Sequence, residues 1–387
     1  MTAADSDLVA RARSLRSLVE ADAEEAERTG TTTKRVVDAV AEQGLFQTLV
    51  PAELGGQEAP IDVALGVFED LAYADGSTGW SVMANATSST FAAIYCGDDA
   101  VADMFPPGAP GVHAGMFGPV GSAERDADGY VISGSYRFGS GTGHANWIAA
   151  GATEQRDGEP VITDAGLPSL LVAFLPPDAV DMGGNWDVMG LAGTGSYDYV
   201  VDQQHVDEGF TFRLLEAEPK RGGPMYNLGL FGLVASGHAG FALGVGRRAL
   251  VEVLAIAEQK QRMGSFETVT AQQLFQHDFA MQDAAMRAAR AYVFESFGAA
   301  QDVVLRGDPC PLVLQQRMRQ ATTYATRVAA DAARFAYTWA GTDALRNPNV
   351  LQRCFRDIHA GTQHIYVDNN TLTAYTQTLL MTPVDER

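Results

Sequence analysis

His364 and Asp368 stand four residues apart near the end of the chain, a spacing at which an imidazole and a carboxylate can cooperate. Residues 351–370 read LQRCFRDIHAGTQHIYVDNN and also contain an Arg-Asp pair and a Gly-Thr step. If this stretch is helical, positions i and i+4 share a face, and the carboxylate would orient the imidazole and select its tautomer. The pattern therefore suggests an acid/base pair. A solvated His-Asp pair at the end of a surface helix is the alternative.

A second polar pattern lies in residues 134–147, GSYRFGSGTGHANW, where an aromatic strand runs into a Ser-Gly turn and then into another strand. Such a turn exposes Ser140, Thr142 and backbone N–H groups at the end of a strand. These groups can bind the nitrogen and oxygen edge of a flat heteroaromatic ring while nearby aromatic side chains cover its faces. A tight hairpin turn without a ligand is the alternative.

Other motifs exclude two kinds of site. The glycine-rich residues 139–143 and 190–195 resemble phosphate-binding loops, but both lie between β runs and lack the strand–turn–helix context of a dinucleotide site. His359 and His364 would point about 140° apart on a helix, so they do not form a two-histidine, one-carboxylate metal site. We therefore expect neither a nicotinamide site nor a metal ion.

Composition limits the partners of the protein. The 387 residues are 46% hydrophobic and 19% charged, and the net charge of -21 argues against binding to nucleic acid or to an anionic membrane. We expect no signal peptide and no membrane-spanning helix, and hence a cytoplasmic protein. The three cysteines, Cys96, Cys310 and Cys354, are scattered, which favours a reducing compartment without structural zinc.

Local periodicity predicts three regions. Residues 1–111 have helical spacing, residues 112–222 form a β domain, and residues 223–387 return to helices. Residues 228–258 predict a buried helix in which the glycines at 237, 240 and 244 allow close packing. The apolar positions from Met318 to Trp339 are typical of a bundle core or a subunit interface, and we expect a homotetramer. The predicted strands are residues 130–138, 147–153, 170–175 and 197–201.

Four motifs in this order resemble the acyl-CoA dehydrogenase superfamily. They are VPAELGG at residues 50–56, ADGSTGW at 74–80, WDVMGLAGTGS at 186–196, and residues 341–357 with their Arg-Asp pair. The resemblance implies an α+β fold with an N-terminal helical domain, a central β-barrel or sandwich domain and a C-terminal four-helix bundle.

One position separates the classes within this superfamily. Dehydrogenases commonly carry a catalytic Glu before the Gly-Thr step, where this chain has Ala360, and residues 225–242 contain no acid. The chain is instead similar to the flavin-dependent monooxygenases of this fold. That resemblance implies a reduced flavin (FMN or FAD), O2, a separate NAD(P)H-dependent flavin reductase, and oxidation of a small aromatic, polycyclic or amine substrate through a flavin C4a-hydroperoxide. A dehydrogenase with its base elsewhere and a catalytically silent subunit of a heteromeric dehydrogenase are the alternatives.

The resemblance also assigns roles to residues. Ser140 would bind the flavin near N5, His364 would act beside C4a with Asp368 orienting it, and Arg262 and Phe266 would reach the flavin of a neighbouring subunit. Relatives place a second His after the Trp of the ADGSTGW motif, and residues 85–91 contain none. The predicted flavin-binding residues are Met116, Phe117, Gly118, Ser140, Gly141, Thr142, Trp186, Thr194, Ser196, Arg262, Phe266, Gly361 and Thr362.

Overall fold

The computed structural model describes residues 3–109 and 111–384 and orders them as helices, a sheet and helices. The first helices are α1 (Ala3–Ser14), α2 (Arg16–Thr29), α3 (Lys34–Glu42), α4 (Ile61–Ala74), α5 (Gly76–Tyr95) and α6 (Asp98–Met104). The strands are β1 (His113–Arg125), β2 (Gly129–Gly139), β3 (Trp147–Arg156), β4 (Glu159–Pro160), β5 (Leu170–Leu175), β6 (Asp181–Met182), β7 (Tyr197–Asp207) and β8 (Thr211–Arg213). The last helices are α7 (Gly229–Gln259), α8 (Gln273–Leu305), α9 (Leu312–Ala340), α10 (Val350–Gly361) and α11 (Asn369–Met381).

The central sheet has the strand order β6-β7-β2-β1-β3-β5-β8, with β4 paired to β3 at its side. β1 and β3 run parallel, and the other pairs are antiparallel. The four strands predicted from β-branched and aromatic runs are confirmed within β2, β3, β5 and β7. Strand β2 ends at Gly139. This end of the strand lies next to helices that carry other polar residues of the candidate site described below.

Helix α5 lies at the centre of the molecule, and all of its residues except Ala84 are buried. Asp75 caps its N-terminus by accepting a hydrogen bond from the Thr78 amide at 2.8 Å. Small side chains along α5 let α4, α7 and β1 pack closely around it. This helix therefore holds its large polar ring, Trp80, in a fixed position.

Helix α7 packs against α4 through glycines. A Cβ on Gly240 would lie 2.5 Å from the Cβ of Phe68, and one on Gly244 would lie 2.4 Å from the carbonyl oxygen of Glu69. These approaches leave no room for a larger residue, so the predicted role of this glycine spacing in helix packing is confirmed.

We expected no membrane-spanning helix, but one segment among the described residues is long and apolar enough to be a candidate. Pro224–Gln259 has the length and composition of a spanning helix, and 78% of its most apolar window is buried inside the fold. Such burial is typical of the core helix of a globular protein because the surrounding helices replace lipid as the apolar environment.

The stretch that contains His364 and Asp368 is not one continuous helix. His364 and Asp368 have extended backbone conformations (φ/ψ -73°/133° and -73°/173°) on either side of a single 3-10 turn, Ile365–Val367. α10 and α11 are therefore separate helices, and the i, i+4 geometry assumed for this His-Asp pair does not form.

Candidate active site

Ser140 lies in the turn after β2 and joins three parts of the chain. Its Oγ accepts a hydrogen bond from the Trp80 Nε1 at 2.9 Å and another from the Ser196 Oγ at 3.1 Å. Ser196 in turn lies 2.7 Å from the Thr194 Oγ1. Because a hydroxyl offers two lone pairs and one proton, both lone pairs of Ser140 are used and its proton is left to donate to a ligand.

Tight backbone geometry holds this turn in place. Gly141 has φ +76°, and a Cβ there would lie 2.6 Å from the side-chain oxygen of Asn85. Thr142 is buried, and its hydroxyl donates to the carbonyl oxygens of Gly139 at 2.8 Å and Gly195 at 3.2 Å. The Ser-Gly turn is consequently a rigid support for the Ser140 hydroxyl.

Two imidazole rings, His238 of α7 and His364, lie beside the Trp80 indole. Their ring centres are 4.3 Å apart. Trp80 contacts both rings edge-on, at 5.0 Å from His238 and 5.6 Å from His364, and also contacts Phe241 at 4.9 Å. The indole thus has Ser140 at its N–H and the histidine pair against its ring.

Burial keeps both histidines neutral. It lowers the pKa of His364 to about 4, and it lowers the pKa of His238 further, with a contribution from repulsion by a charged His364. The His364 Nδ1 accepts the Tyr366 backbone N–H at 3.2 Å, so the proton of the neutral ring lies on Nε2. His364 can therefore donate one hydrogen bond from Nε2 into the site.

Asp368 does not orient His364. Its carboxylate caps α11, accepting the backbone N–H groups of Asn370 at 2.9 Å and Thr371 at 3.3 Å. No hydrogen bond or ion pair joins it to His364 in the described part of the chain. The predicted pair is corrected to a backbone-oriented histidine and a capping aspartate, because helix capping competes for the same carboxylate.

His238 is the site residue that the sequence reasoning missed. The resemblance places a second histidine within residues 85–91 of α5, whereas the second ring comes from α7, 126 positions before His364 in the chain. The available signal was a single imidazole within a long apolar helical stretch. A buried polar ring in such a helix needs partners, and here they are aromatic rings: Tyr366 stacks on His238 at 5.6 Å with the planes 10° apart.

The remaining predicted flavin residues fall into groups. Thr194 and Ser196 share the Ser140 hydrogen-bond chain, while the Trp186 indole N–H donates to the Leu191 carbonyl at 2.9 Å. Gly361 packs on the Phe241 ring, where a Cβ would lie 2.5 Å from a ring carbon. The others lie on or beside these elements: Met116, Phe117 and Gly118 on β1, Gly141 and Thr142 in the Ser140 turn, and Thr362 at the end of α10.

Arg262 and Phe266 lie apart from this cluster, in the loop between α7 and α8. The Arg262 guanidinium packs over the Trp339 ring at 4.6 Å, and Phe266 is 99% exposed. Within one chain this loop does not bring either residue to Ser140 or His364 in any contact of the described residues. Their predicted contact with flavin would require a second subunit.

The Arg-Asp motif at the end of α10 secures the loop that carries Thr194 and Ser196. Asp357 is fully buried and accepts the Leu191 backbone N–H at 2.6 Å. Burial, together with the neighbouring Asp75 carboxylate, raises the pKa of Asp357. Leu191 adopts φ +57°, a conformation that side-chain-bearing residues rarely hold without such support.

His359 does not join His364. Its Nδ1 donates to the Phe355 carbonyl oxygen at 2.7 Å, and its ring packs on the Phe355 ring at 4.2 Å. The two histidines considered as metal ligands therefore make separate contacts.

Comparisons with known proteins identify the family of the chain. Residues 7–109 match the family model "Acyl-CoA dehydrogenase, N-terminal domain", and residues 236–369 match "Acyl-CoA dehydrogenase, C-terminal domain". The indole-3-acetate monooxygenase of Pseudomonas putida is 31% identical over 339 residues, which cover 88% of this chain and 85% of that protein. The flavin-dependent monooxygenase oxygenase subunit HsaA of Rhodococcus jostii is 26% identical, over 84% of this chain and 85% of that protein.

A solved structure shows the same fold. The 3-HSA hydroxylase from Rhodococcus sp. RHA1 superimposes with a TM-score of 0.89 and 22% identity, covering 97% of each chain. The chain belongs to the acyl-CoA dehydrogenase superfamily. Within it, the chain belongs with the flavin-dependent monooxygenases, so the predicted family and fold class are confirmed.

Proposed function

We propose that this protein is the oxygenase component of a two-component, reduced-flavin-dependent monooxygenase that oxidises a small aromatic substrate. The observation that carries the proposal is the arrangement in one site of the buried Trp80 and His238 with the half-buried Ser140 and His364. Two relatives, named for indole-3-acetate oxidation and as a flavin-dependent oxygenase subunit, support it.

The residues around Ser140 fit a flavin. The hydroxyl has a proton left for an acceptor on the N5 edge of the ring system. Phe138, 60% exposed, and the half-buried Trp186 offer apolar surface next to the same turn, with ring centres 6.2 Å apart. FMN or FAD would be held by this turn and by the loop that Asp357 secures.

Reduced flavin, when bound, supplies the two electrons needed to place one atom of O2 in the substrate and release the other as water. The side chains position this chemistry. Ser140 orients the flavin, and the neutral His364 presents its Nε2–H as a hydrogen-bond donor to the reacting oxygen. The Trp80 ring, which packs on Phe241, covers both imidazoles and excludes water from them, which limits unproductive release of peroxide.

A dehydrogenase is the less favoured reading because the site lacks a carboxylate base. Ala360 stands before the Gly-Thr step, and no acidic group pairs with His238 or His364 among the described residues. Removing a weakly acidic C–H proton requires a positioned base whose pKa is near the working pH, and neutral imidazoles of strongly lowered pKa are poor bases for it.

The proposal includes a separate NAD(P)H-dependent flavin reductase, a cytoplasmic location and a homotetramer. The apolar stripe of α9 is already used inside the chain, since Met318 and Ala325 are 0% exposed, so it does not supply the interface. Other surfaces favour assembly: Met263 and Phe266 on the α7–α8 loop and Leu380 and Met381 at the end of α11 are largely exposed.

The test combines the purified chain with a flavin reductase, NADH, FMN or FAD and 18O2. Aromatic substrates, with indole-3-acetate first, should acquire one labelled oxygen atom, whereas an acyl-CoA should not reduce the bound flavin. A catalase control removes peroxide made by free flavin. Acyl-CoA-dependent flavin reduction without labelled product would reject the monooxygenase assignment.

A further inference from the structure

Arg319 of α9 is a half-buried cation without an acidic partner. Its Nε is buried and has no hydrogen-bond partner, and no ion pair joins its guanidinium to a carboxylate in the described part of the chain. Arginine has five N–H donors and remains charged, so an unpaired buried guanidinium costs free energy. In a chain with 48 acidic and 27 basic residues, an arginine without a carboxylate is unexpected.

Two aromatic rings hold this guanidinium. Its central carbon lies 4.7 Å from the Tyr366 ring centre and 5.1 Å from the Phe231 ring centre. Cation–π contacts of this kind stabilise the charge and fix its plane. They leave the buried Nε–H unsatisfied, however, because a ring face does not replace a hydrogen-bond acceptor at the guanidinium edge.

A second buried polar group lies one helical turn away. Gln316 is 8% exposed, and its side-chain Oε1 is buried without a partner. Residues i and i+3 share a helix face, so Gln316 and Arg319 present their unsatisfied groups on the same side of α9. The amide of Gln316 offers an acceptor or, turned over, a donor to whatever binds between them.

This pair adjoins the proposed active site through Tyr366. The Tyr366 ring stacks on His238 at 5.6 Å and also carries the Arg319 guanidinium, so a single aromatic ring separates the cation from the imidazole pair. The Tyr366 hydroxyl is occupied, since it donates to the Phe231 carbonyl at 2.9 Å. Arg319 and Gln316 thus remain as the unsatisfied polar groups at this end.

We propose that Arg319, assisted by Gln316, binds the carboxylate of the substrate, and that the enzyme acts on aromatic carboxylic acids. This rests on the proposed monooxygenase function and specifies its substrate class. The guanidinium edge matches a carboxylate with two parallel hydrogen bonds. A chain of net charge -21 repels anions in general, so an anionic substrate needs a local cation at its site.

Equilibrium binding of indole-3-acetate and its neutral isostere indole-3-acetamide tests this proposal, with and without added flavin, by quenching of tryptophan fluorescence and by calorimetry. The wild-type protein should bind the acid about 10- to 100-fold more tightly than the amide, the range expected for a charged hydrogen bond. Arg319→Gln should reduce this ratio to near one, and Arg319→Lys should retain part of it. Because the assay needs no turnover, an acid preference without oxygenation would reject the monooxygenase function and leave the anion site intact.

Arg334→Gln is the matched control. Arg334 lies on the same helix as Arg319 and pairs with Asp331 on the exposed surface. The Arg334→Gln variant loses the same charge as Arg319→Gln but should keep the wild-type ratio of acid to amide binding. Equal binding of acid and amide by the wild type would overturn the proposal. The proposal would also be overturned if Arg319→Gln weakened binding of the acid and the amide equally, since Arg319 would then serve packing. It would be overturned as well if the variant changed the molar mass of the assembly in light scattering without changing the ratio of acid to amide binding, since Arg319 would then form a subunit contact.

Discussion

The imidazole rings of His238 and His364 lie 4.3 Å apart between ring centres, with their planes inclined by 38°. One ring comes from the middle of a buried helix and the other from an extended residue between two short helices. Their contact places two groups of lowered pKa against Trp80, which itself binds Ser140.

His364→Ala should lower substrate oxygenation by roughly 10²- to 10³-fold, the range for losing one positioned hydrogen-bond donor to a reacting oxygen. Flavin binding should change much less, because Ser140 and its turn do not depend on the imidazole. Product formation per NADH and flavin titration measure the two effects. His238→Ala should lower substrate oxygenation less than His364→Ala does, because the His238 ring packs beside His364 and supports it. If both variants form as much product per NADH as the wild type, the two histidines serve packing only.

Asp368→Ala should reduce stability and leave oxygenation nearly unchanged, because the carboxylate caps α11 and does not contact His364. Losing such a cap costs about 0.5–2 kcal/mol of unfolding free energy. Urea denaturation measures this cost. Asp368→Asn is the control, since an asparagine oxygen can also cap. An oxygenation defect as large as that of His364→Ala would contradict this assignment.

The contribution of His364 to the free energy of unfolding should fall as the pH falls from about 6.5 to about 4, while the raised pKa of Asp357 acts in the opposite direction. Burial lowers the folded-state pKa of His364 to about 4, whereas an unfolded histidine has a pKa of about 6.5. Between these values the unfolded chain binds more protons, so each such histidine removes up to about 1.4 kcal/mol of stability per pH unit.

Burial lowers the pKa of His113 to about 3 and that of His144 to about 4. Both residues should therefore steepen the slope of unfolding free energy against pH. His364→Asn should reduce the slope, as measured by urea denaturation at a series of pH values. An unchanged slope in His364→Asn would show that this imidazole titrates alike in both states.

Ser140→Ala should weaken flavin binding by about 2- to 13-fold, corresponding to one neutral hydrogen bond of about 0.5–1.5 kcal/mol. It should also raise peroxide release, because Trp80 would lose the acceptor of its indole N–H. Ser196→Ala should have a smaller effect on flavin, since Ser196 acts through Ser140. Flavin titration and peroxide assays measure both. If Ser140→Ala and Ser196→Ala change flavin affinity and peroxide release to the same extent, Ser140 does not bind the flavin directly.

Phe266→Ser should shift the assembly to a smaller species and weaken flavin binding while circular dichroism stays unchanged, because the side chain is almost fully exposed in one chain. Arg262→Ala should weaken flavin binding with less effect on assembly. Light scattering and flavin titration separate the two. A monomeric wild-type protein with full flavin affinity would rule out a shared site.

Local sequence was sufficient for the order of elements and for the Ser140 turn. Alternating β-branched residues, helical apolar spacing and the Gly-Ser-Gly-Thr-Gly run act over a few residues, so their outcome depends little on the rest of the chain. The same holds for Gly240 and Gly244, whose close packing was expected from spacing alone.

Tertiary structure decided the partners of the histidines. His238 and His364 meet because α7 and the end of α10 pack on the same side of Trp80, a contact between distant positions that periodicity does not encode. Asp368 had two local options, an i, i+4 contact with His364 or a cap for α11, and both satisfy the sequence rules. The cap formed because the chain leaves the helix at His364 to pack Tyr366 against Phe231 and His238, which separates the imidazole from the carboxylate.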